Sequence, residues 1–323
     1  MIILSASTRD YPNEAGTIFQ DCANINWSRS ASAFFANRTC SAGASSPTCE
    51  GMLARAPARP RRRKAQVDPF GYDPEVHARV RPIAEFFYRR YWRVQSDGIE
   101  HVPGHGAALI VSNHSGGIPF DATMIATAID LEHPQHRLVR FLYDRFVASM
   151  PFVGEFYDKM GSTVASFQNA RRLLETGALV GIFPEGVEGV AKGIWKSYQM
   201  QRFHHGFVRL SLQLRVPIIP TAVVGAEEIY PVIGKWKNLG PLKALLNIPY
   251  VPVTPLFPLL GPLGMIPLPT KWHIRFGAPI RFYESRRVAR LPQAKTVHAL
   301  AERVRQQIQS MVHELLAARE SVF

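Results

Sequence analysis

The chain has 323 residues, 46% of them hydrophobic, and a formal net charge of +13. This length and composition predict a globular protein with a substantial core. The excess of positive charge favours anionic partners such as nucleic acid, phosphorylated cofactors or anionic lipid. All three cysteines, Cys22, Cys40 and Cys49, lie before residue 50, which excludes disulfides and cysteine-based metal sites from the core.

The first segment, residues 1–66, is rich in Ser, Ala, Arg and Pro and has neither helical nor strand periodicity. This pattern predicts a disordered leader. Its start has no basic region followed by a long apolar run, so no secretory signal is predicted and we expect a reducing, cytoplasmic setting. A mitochondrial transit peptide is an alternative, opposed by the acidic residues Asp10, Glu14 and Asp21.

The next segment, residues 67–97, is predicted to be amphipathic and helical. A helix is expected over 73–94, with a break at Pro82, and its second half mixes aromatic residues with arginines. Two interpretations are open: a helix that lies in a lipid headgroup layer, or a helix packed on the domain with its arginines in water.

Beyond this helix, short apolar runs alternate with helical patterns. The predicted strands are 107–112, 138–143, 161–165, 178–183, 217–224 and 272–276, and the predicted helices include 120–131, 167–176 and 203–214. Apolar spacing from Val297 to Leu315 predicts a closing amphipathic helix. The alternation predicts an α/β domain over 67–323, in which helices flank a mostly parallel central sheet.

An apolar, proline-rich segment occupies residues 241–270. Its uncharged stretch is long enough to cross a bilayer, but each proline inside a helix costs about 3 kcal/mol, which excludes a spanning helix. Prolines at every third position from Pro249 to Pro258 predict polyproline II. The segment is interpreted either as a surface that touches a membrane or walls a lipid groove, or as a loop buried against the core.

A polar turn, NHSGGIPFD at residues 113–121, follows the predicted strand 107–112. Ligands of open α/β sheets bind at this end of a strand. If Asp121 holds His114 in one tautomer, the free ring nitrogen can take a proton from a hydroxyl group, which then attacks a thioester without an enzyme nucleophile. The structural alternative is a helix start in which Ser, Pro and Asp serve only as capping residues.

A second polar turn follows the predicted strand 178–183. Glu185 lies there between Pro184 and Gly186, on the same rim as His114. Two polar turns on one rim predict a reaction centre. Metal catalysis is not predicted, because Pro and Gly separate the histidines of HVPGH. Neither a P-loop, a dinucleotide glycine pattern nor a nucleic-acid reader motif is present.

Several sequence blocks together resemble the glycerolipid acyltransferases, in the branch similar to monoacylglycerol and diacylglycerol acyltransferases, over about residues 70–285. The blocks are SNHSGGIPFD, GSTVASFQNARRLLETG, VGIFPEGVEG, FHHGFVRLSLQLRVPIIPTAVVGAEE and LPTKWHIRFGAPI. The resemblance implies that His114 and Asp121 are the catalytic pair. It also implies substrate-binding roles for the flanking residues Asn113, Ser115, Gly116, Phe183, Pro184, Glu185 and Gly186.

The chain departs from the family pattern in its spacing and in its arginines. Six residues separate His114 from Asp121, whereas the commonest form of the motif has four, so the turn must loop out for the pair to meet. Glu188 replaces an arginine of the lysophosphatidate acyltransferases and would repel an acceptor phosphate. A second family arginine is missing, and Arg171 or Arg172 is expected to bind substrate in its place. These changes favour a neutral glyceride or another alcohol as acceptor.

The resemblance implies an enzyme that transfers a fatty acyl group from acyl-CoA, or from acyl carrier protein, to a hydroxyl of a glycerolipid, with His114 as general base. Neither a metal nor a cofactor other than the acyl donor is expected. The expected location is the cytoplasmic face of a membrane, peripheral or monotopic, with a membrane surface and not nucleic acid as partner. The alternative, suggested by the longer spacing, is a non-catalytic membrane-surface lipid-binding protein that retains the fold.

Overall fold

A computed structural model of the chain describes residues 67–115, 120–186, 189, 193–236, 251–285 and 294–323. The predicted leader, residues 1–66, lies outside this part. The strands are β1 (Gln95–Asp97), β2 (Ala108–Ser112), β3 (Val139–Tyr143), β4 (Thr163–Val164), β5 (Leu179–Ile182), β6 (Ile218–Val224), β7 (Gly234–Trp236), β8 (Val251–Val253) and β9 (His273–Phe276). The α-helices are α1 (Pro74–Phe86), α2 (Phe120–Glu132), α3 (Arg145–Ala148), α4 (Val153–Lys159), α5 (Phe167–Glu175), α6 (Gly206–Leu214) and α7 (Ala294–Ala318).

Seven strands form one sheet in the order β1-β9-β6-β2-β5-β3-β4. The five strands from β6 to β4 run parallel, β9 pairs antiparallel to β6, and β1 runs parallel to β9. This arrangement confirms the predicted α/β class with a mostly parallel sheet, and all six predicted strands are present. β1, β7 and β8 were not predicted, because three residues are too few to establish a strand period.

The sheet is buried on both faces, as expected for parallel strands covered by helices. All five residues of β2 are buried, and alternate side chains enter different clusters. Leu109 packs with residues of α5, α6 and α7, whereas Ile110 packs with residues of α2. The centre of the sheet is therefore fixed on both sides, and the turn after β2 starts from a rigid strand.

Helix α1 continues through Pro82, so the predicted break there is wrong. The Asp73 side chain caps its start by accepting hydrogen bonds from two backbone N–H groups, and a turn of π-helix, Phe87–Tyr91, follows its end. Arg81 pairs with Asp130 on α2, with Nε to Oδ2 at 2.6 Å. Contacts of this kind offset the backbone hydrogen bond that a proline removes.

The proline-rich segment forms two different local structures where it is described. Its residues 251–253 pair with β7 as strand β8, and Gly261–Met265 form a 3-10 helix. The predicted polyproline II strip is therefore wrong over this part, because a neighbouring strand supplies the backbone partners that polyproline II lacks. Residues 237–250 lie outside the described part.

Large apolar side chains of this segment face solvent. The exposed residues are Leu256, Leu259, Leu260, Leu263, Met265 and Ile266. The residues after them bind the end of the π-helical turn: Tyr91 Oη donates to the Pro267 carbonyl at 2.7 Å, and Trp92 Nε1 donates to the Leu268 carbonyl at 3.1 Å. Across the described ranges, no helix has both the length and the apolar character needed to cross a bilayer.

Candidate active site

The His114 turn begins where β2 ends, and Asn113 fixes that point. The Asn113 side chain is buried and bonds twice to the backbone of Val223 on β6, with Nδ2 donating to the carbonyl at 2.9 Å and Oδ1 accepting from the N–H at 2.8 Å. The amide thus extends the pairing of β2 with β6 by one residue. Asn113, predicted to bind substrate, anchors the turn through these bonds.

His114 and Asp121 meet despite the six residues between them. His114 Nδ1 lies 2.7 Å from Asp121 Oδ2, and the Asp121 carboxylate is fully buried. The same carboxylate accepts hydrogen bonds from the N–H groups of Ser115 and Ala122 at 2.9 and 2.8 Å. Because a carboxylate accepts, Nδ1 carries the ring proton and Nε2 keeps a free lone pair. The imidazole can therefore act as a base through Nε2.

An aromatic stack holds the imidazole from one side. The Phe183 ring lies parallel to the His114 ring, with centroids 4.2 Å apart and planes 15° apart. Phe141 of β3 stacks in turn on Phe183 at 5.4 Å. These contacts fix the plane of the imidazole. Phe141 was not identified from the sequence, because a phenylalanine within an apolar strand carries no signal that separates it from the core.

Glu185 joins two backbone segments at the rim. Its side chain is 1% exposed, its Oε1 accepts from the His114 N–H at 3.0 Å, and its Oε2 accepts from the Gln201 N–H at 2.7 Å. Sequence resemblance suggested a substrate-binding role for this residue. The carboxylate is bound by these two N–H groups and is not among the residues that line the large cavity beside His114, whereas its neighbours Phe183, Pro184 and Gly186 are.

Gly189 packs directly against Glu185 and His114. A Cβ at this position would lie 2.7 Å from the Cβ of Glu185 and 3.1 Å from the Cβ of His114. The separation from Glu185 is too short for two carbon atoms and that from His114 is tight, so the close approach to Glu185 requires glycine here. The sequence contains Gly189 in the VGIFPEGVEG block, but its contact with His114 depends on the tertiary fold.

A cavity of ≈ 1130 Å³ opens in front of His114. Residues of α1, α2, β3, α5 and α6 contribute to its walls, and most of the lining side chains are apolar. One part lies beside α1, α2 and β3 and includes Ala84, Phe120, Ala126, Val139 and Phe141. Another lies beside α5 and α6 and includes Phe167, Ala170, Phe207 and Leu210. A third includes Tyr230, Phe257 and Met265, next to the exposed apolar side chains of residues 256–266.

Tyr157 adds a hydroxyl to the cavity lining. Burial, together with the nearby negative charge of Asp121, raises the pKa of Tyr157 to about 12. The phenol is therefore protonated at neutral pH and is able to donate a hydrogen bond into the cavity.

The two predicted substrate-binding arginines lie away from this cavity. Arg171 and Arg172 are exposed on α5, and neither is among the residues that line the cavity. Arg171 Nε instead pairs with Glu175 Oε1 at 2.7 Å, one turn further along the helix. Helix geometry explains the result, because Phe167 and Ala170 occupy the inward face of α5. Gly116 and Glu188 lie outside the described residues.

The remaining histidines and acidic residues do not assemble into a metal site in the described ranges. No group of three or more His, Cys, Asp or Glu side chains there has the arrangement needed to hold a metal ion. The described residues surround the imidazole of His114 with a buried carboxylate that orients it, an aromatic ring stacked on one face and a large apolar cavity.

Comparison with known proteins places this chain in a family. Residues 93–224 match the family model described as Acyltransferase. An uncharacterized protein of Mycobacterium bovis is 42% identical over 261 residues, which cover 80% of this chain and 71% of the relative. The human protein named "DGAT1/2-independent enzyme synthesizing storage lipids" is 26% identical over 163 residues, which cover 50% of this chain and 49% of that protein.

Among solved structures, the 1-acyl-sn-glycerophosphate acyltransferase PlsC of Thermotoga maritima is similar with a TM-score of 0.49 and 16% identity, over 76% of this chain and 81% of that chain. The family model and the 42% identity over four-fifths of the chain confirm the resemblance found in the sequence blocks. The protein is an acyltransferase and belongs to that family.

Proposed function

We propose that the protein transfers a fatty acyl group from acyl-CoA, or from acyl carrier protein, to a hydroxyl of a neutral glycerolipid at a membrane surface, with His114 as general base. The observation that carries the proposal is the His114–Asp121 pair, whose imidazole lines a large apolar cavity. A base alone would fit many reactions. Its position beside enough apolar volume for long hydrocarbon chains favours lipid substrates.

The reaction proceeds by direct attack. Nε2 of His114 takes the proton of the acceptor hydroxyl as its oxygen bonds to the thioester carbonyl carbon. The tetrahedral intermediate then breaks its carbon–sulfur bond, and the imidazolium gives the proton to the leaving thiolate. Asp121 holds the ring in the required tautomer and stabilises its charged form between these steps. The products are an ester and a thiol, and no covalent enzyme intermediate forms.

The cavity accounts for binding of the acyl chain. Each buried methylene group contributes about 0.8 kcal/mol, so a chain bound along apolar walls is held tightly without charged contacts. His114 lines the same cavity as residues of α2 and of α6. Its volume of ≈ 1130 Å³ is the space we assign to the hydrocarbon chains of donor and acceptor.

The charges around the cavity favour a neutral acceptor. Two arginines contribute to its lining in the described part of the chain, Arg81 and Arg137. Arg81 pairs with Asp130, and Arg137 donates hydrogen bonds to three backbone carbonyls, those of Pro103, Gly106 and Gly177. Since both guanidinium groups already have protein partners, neither is available for an acceptor phosphate without losing those bonds.

The exposed apolar side chains of residues 256–266 support a membrane location. They lie next to the part of the cavity lined by Tyr230, Phe257 and Met265, so a lipid could pass from a bilayer to His114 without crossing water. The net charge of +13 favours an anionic bilayer surface, as on the cytoplasmic face of a membrane.

The test is an acyl transfer assay with labelled acyl-CoA and separate neutral and phosphorylated acceptors. We expect ester formation with monoacylglycerol or diacylglycerol, and a loss of at least about 10²-fold in His114→Ala. His105→Ala is the control, because His105 is exposed and does not line the cavity. Full activity of His114→Ala would contradict the mechanism, and transfer only to lysophosphatidate would contradict the acceptor class.

The alternative function is a non-catalytic lipid-binding protein that retains the fold. It was suggested by the longer spacing between His114 and Asp121, whereas the 2.7 Å contact between the two side chains supports the catalytic proposal.

A further inference from the structure

The segment from Tyr198 to Gln201 has a strained backbone close to the active site. Tyr198 has φ 62°, in the left-handed region that is unfavourable for residues other than glycine. Such a conformation persists only where surrounding contacts hold it. One contact comes from Glu227, whose Oε2 accepts from the Tyr198 N–H at 2.7 Å.

Gln309 on α7 supplies two more contacts to this segment. Its Oε1 accepts from the Met200 N–H at 3.0 Å, and its Nε2 donates to the Tyr198 carbonyl at 2.8 Å. The amide also lies 3.0 Å from the His313 ring nitrogen Nε2, so its other N–H has a partner that fixes its orientation. One side chain of the terminal helix thus bonds to the backbone on both sides of Gln199.

The next residue connects the segment to the general base. The N–H of Gln201 donates to Oε2 of Glu185, and the other oxygen of this buried carboxylate accepts from the N–H of His114. A carboxylate is planar and rigid, and each of these oxygens is bound to a different loop. A shift of Gln201 would therefore be passed through Glu185 to the backbone of His114.

We propose that Gln309 is a positioning residue for His114, which acts through the 198–201 segment and Glu185. This inference rests on the proposed function, in which His114 is the base. Gln309 touches neither the cavity nor the imidazole. Its contribution is to hold the His114 backbone where Nε2 meets the acceptor hydroxyl.

The experiment compares Gln309→Leu, Gln309→Glu and Gln306→Leu in the full-length protein. Leucine is similar in size but forms none of the hydrogen bonds to Met200, Tyr198 and His313, whereas glutamate keeps an acceptor for the Met200 N–H and loses the donor to the Tyr198 carbonyl. Gln306 is the matched control, because it is exposed on the same helix and bonds only to Glu302 among the contacts of its side chain described here. The measurements are kcat, KM for acyl-CoA, Tm, and hydrogen exchange of the peptides that contain His114 and Gln201.

We expect kcat of Gln309→Leu to fall about tenfold or more, since small misplacements of a catalytic group are costly. KM for acyl-CoA should stay within about twofold, exchange at His114 and Gln201 should accelerate, and Gln309→Glu should be intermediate. Gln306→Leu should match the wild type. Unchanged kcat and unchanged exchange in Gln309→Leu would overturn the inference. It would also be overturned if the fall in kcat came with a rise in KM by a similar factor and with a lower Tm, because general destabilisation would then explain the loss. If the wild type transfers no acyl group, the proposed function fails, and the exchange rates alone decide whether Gln309 positions His114.

Discussion

Asp121 accepts hydrogen bonds from the imidazole of His114 and from two backbone N–H groups, and this explains why a longer motif still forms a pair. The Ala122 N–H holds the carboxylate at the start of α2, and the Ser115 N–H binds it to the residue after His114, so the six intervening residues do not keep the two side chains apart. The contact of His114 with Asp121 could be predicted from the sequence, because an imidazole after a strand and a carboxylate at the start of the next helix are chemically distinctive. The structural role of Glu185 could not, because its partners are backbone N–H groups that every non-proline residue carries.

Replacement of Asp121 by asparagine should reduce kcat by about 10²- to 10⁴-fold, because the amide no longer fixes the Nδ1–H tautomer or stabilises the imidazolium. The check is kcat measured across pH with saturating acyl-CoA. Asp73→Asn makes the same change at the start of α1 and should leave kcat unchanged, since asparagine also caps a helix. Activity of Asp121→Asn within tenfold of the wild type would rule out the orienting role.

Gly189→Ala should lower both stability and activity. The added Cβ would lie 2.7 Å from the Cβ of Glu185 and 3.1 Å from that of His114, and overpacking of this kind costs about 1–3 kcal/mol. Urea unfolding and kcat measure the two effects. Gly193→Ala is the comparison, because its new Cβ would lie 3.5 Å from its nearest neighbour, the Val232 carbonyl oxygen. Equal behaviour of the two variants would contradict the packing argument.

Helices and strands set the orientation of the site. The strands β2 and β5 are adjacent and parallel, so the turns after them emerge on the same rim, as the sequence pattern predicted. Helix α1 was less predictable, because Pro82 is a breaker by local preference while the helix around it is held by contacts with α2. Contacts between residues 49 positions apart are not visible in a local pattern.

The start of α1 should make the stability of the protein sensitive to acid. Burial of His77 lowers its pKa below 6.5, with Asp130 acting in the opposite direction and Arg81 acting with the burial. The unfolded chain therefore binds more protons than the folded one as the pH falls below about 6.5. The stabilising effect of the neutral ring is complete above that pH and is lost as the pH falls towards the lower folded pKa.

The measurement for His77 is the free energy of unfolding in urea at pH 7.5 and pH 5.5, for the wild type and His77→Gln. The difference between the two pH values should be smaller in the variant, which lacks the titrating ring. An identical pH dependence in both proteins would show that His77 does not contribute.

At the scale of the whole molecule, the cavity was the least predictable feature. Its lining combines residues as far apart in the chain as Ala84, Phe207 and Met265, and each is an ordinary apolar residue in its own element. The exposed apolar surface was partly predictable, since residues 244–270 contain no charged residue and their prolines prevent a long helix. The position of this surface beside the cavity depends on the fold.

Membrane binding should depend on charge and on the exposed leucines together. With a net charge of +13, the protein should bind anionic vesicles more strongly than neutral ones, and added salt should weaken the binding because it screens the attraction. The double variant Leu259→Ser and Leu263→Ser should bind anionic vesicles less tightly at every salt concentration. Cosedimentation measures both effects, and binding that is equal for neutral and anionic vesicles would contradict the role of charge.

The ring stack restricts how this enzyme can be inhibited. Nδ1 of His114 faces Asp121, one face of the imidazole is covered by Phe183, and the residue lines the cavity, so we expect an electrophilic inhibitor to approach the ring from the cavity. Alkylation should therefore occur at a single nitrogen, Nε2. A warhead carried on a hydrocarbon tail would be guided to that atom by the apolar walls, whereas a small polar reagent would lack such guidance.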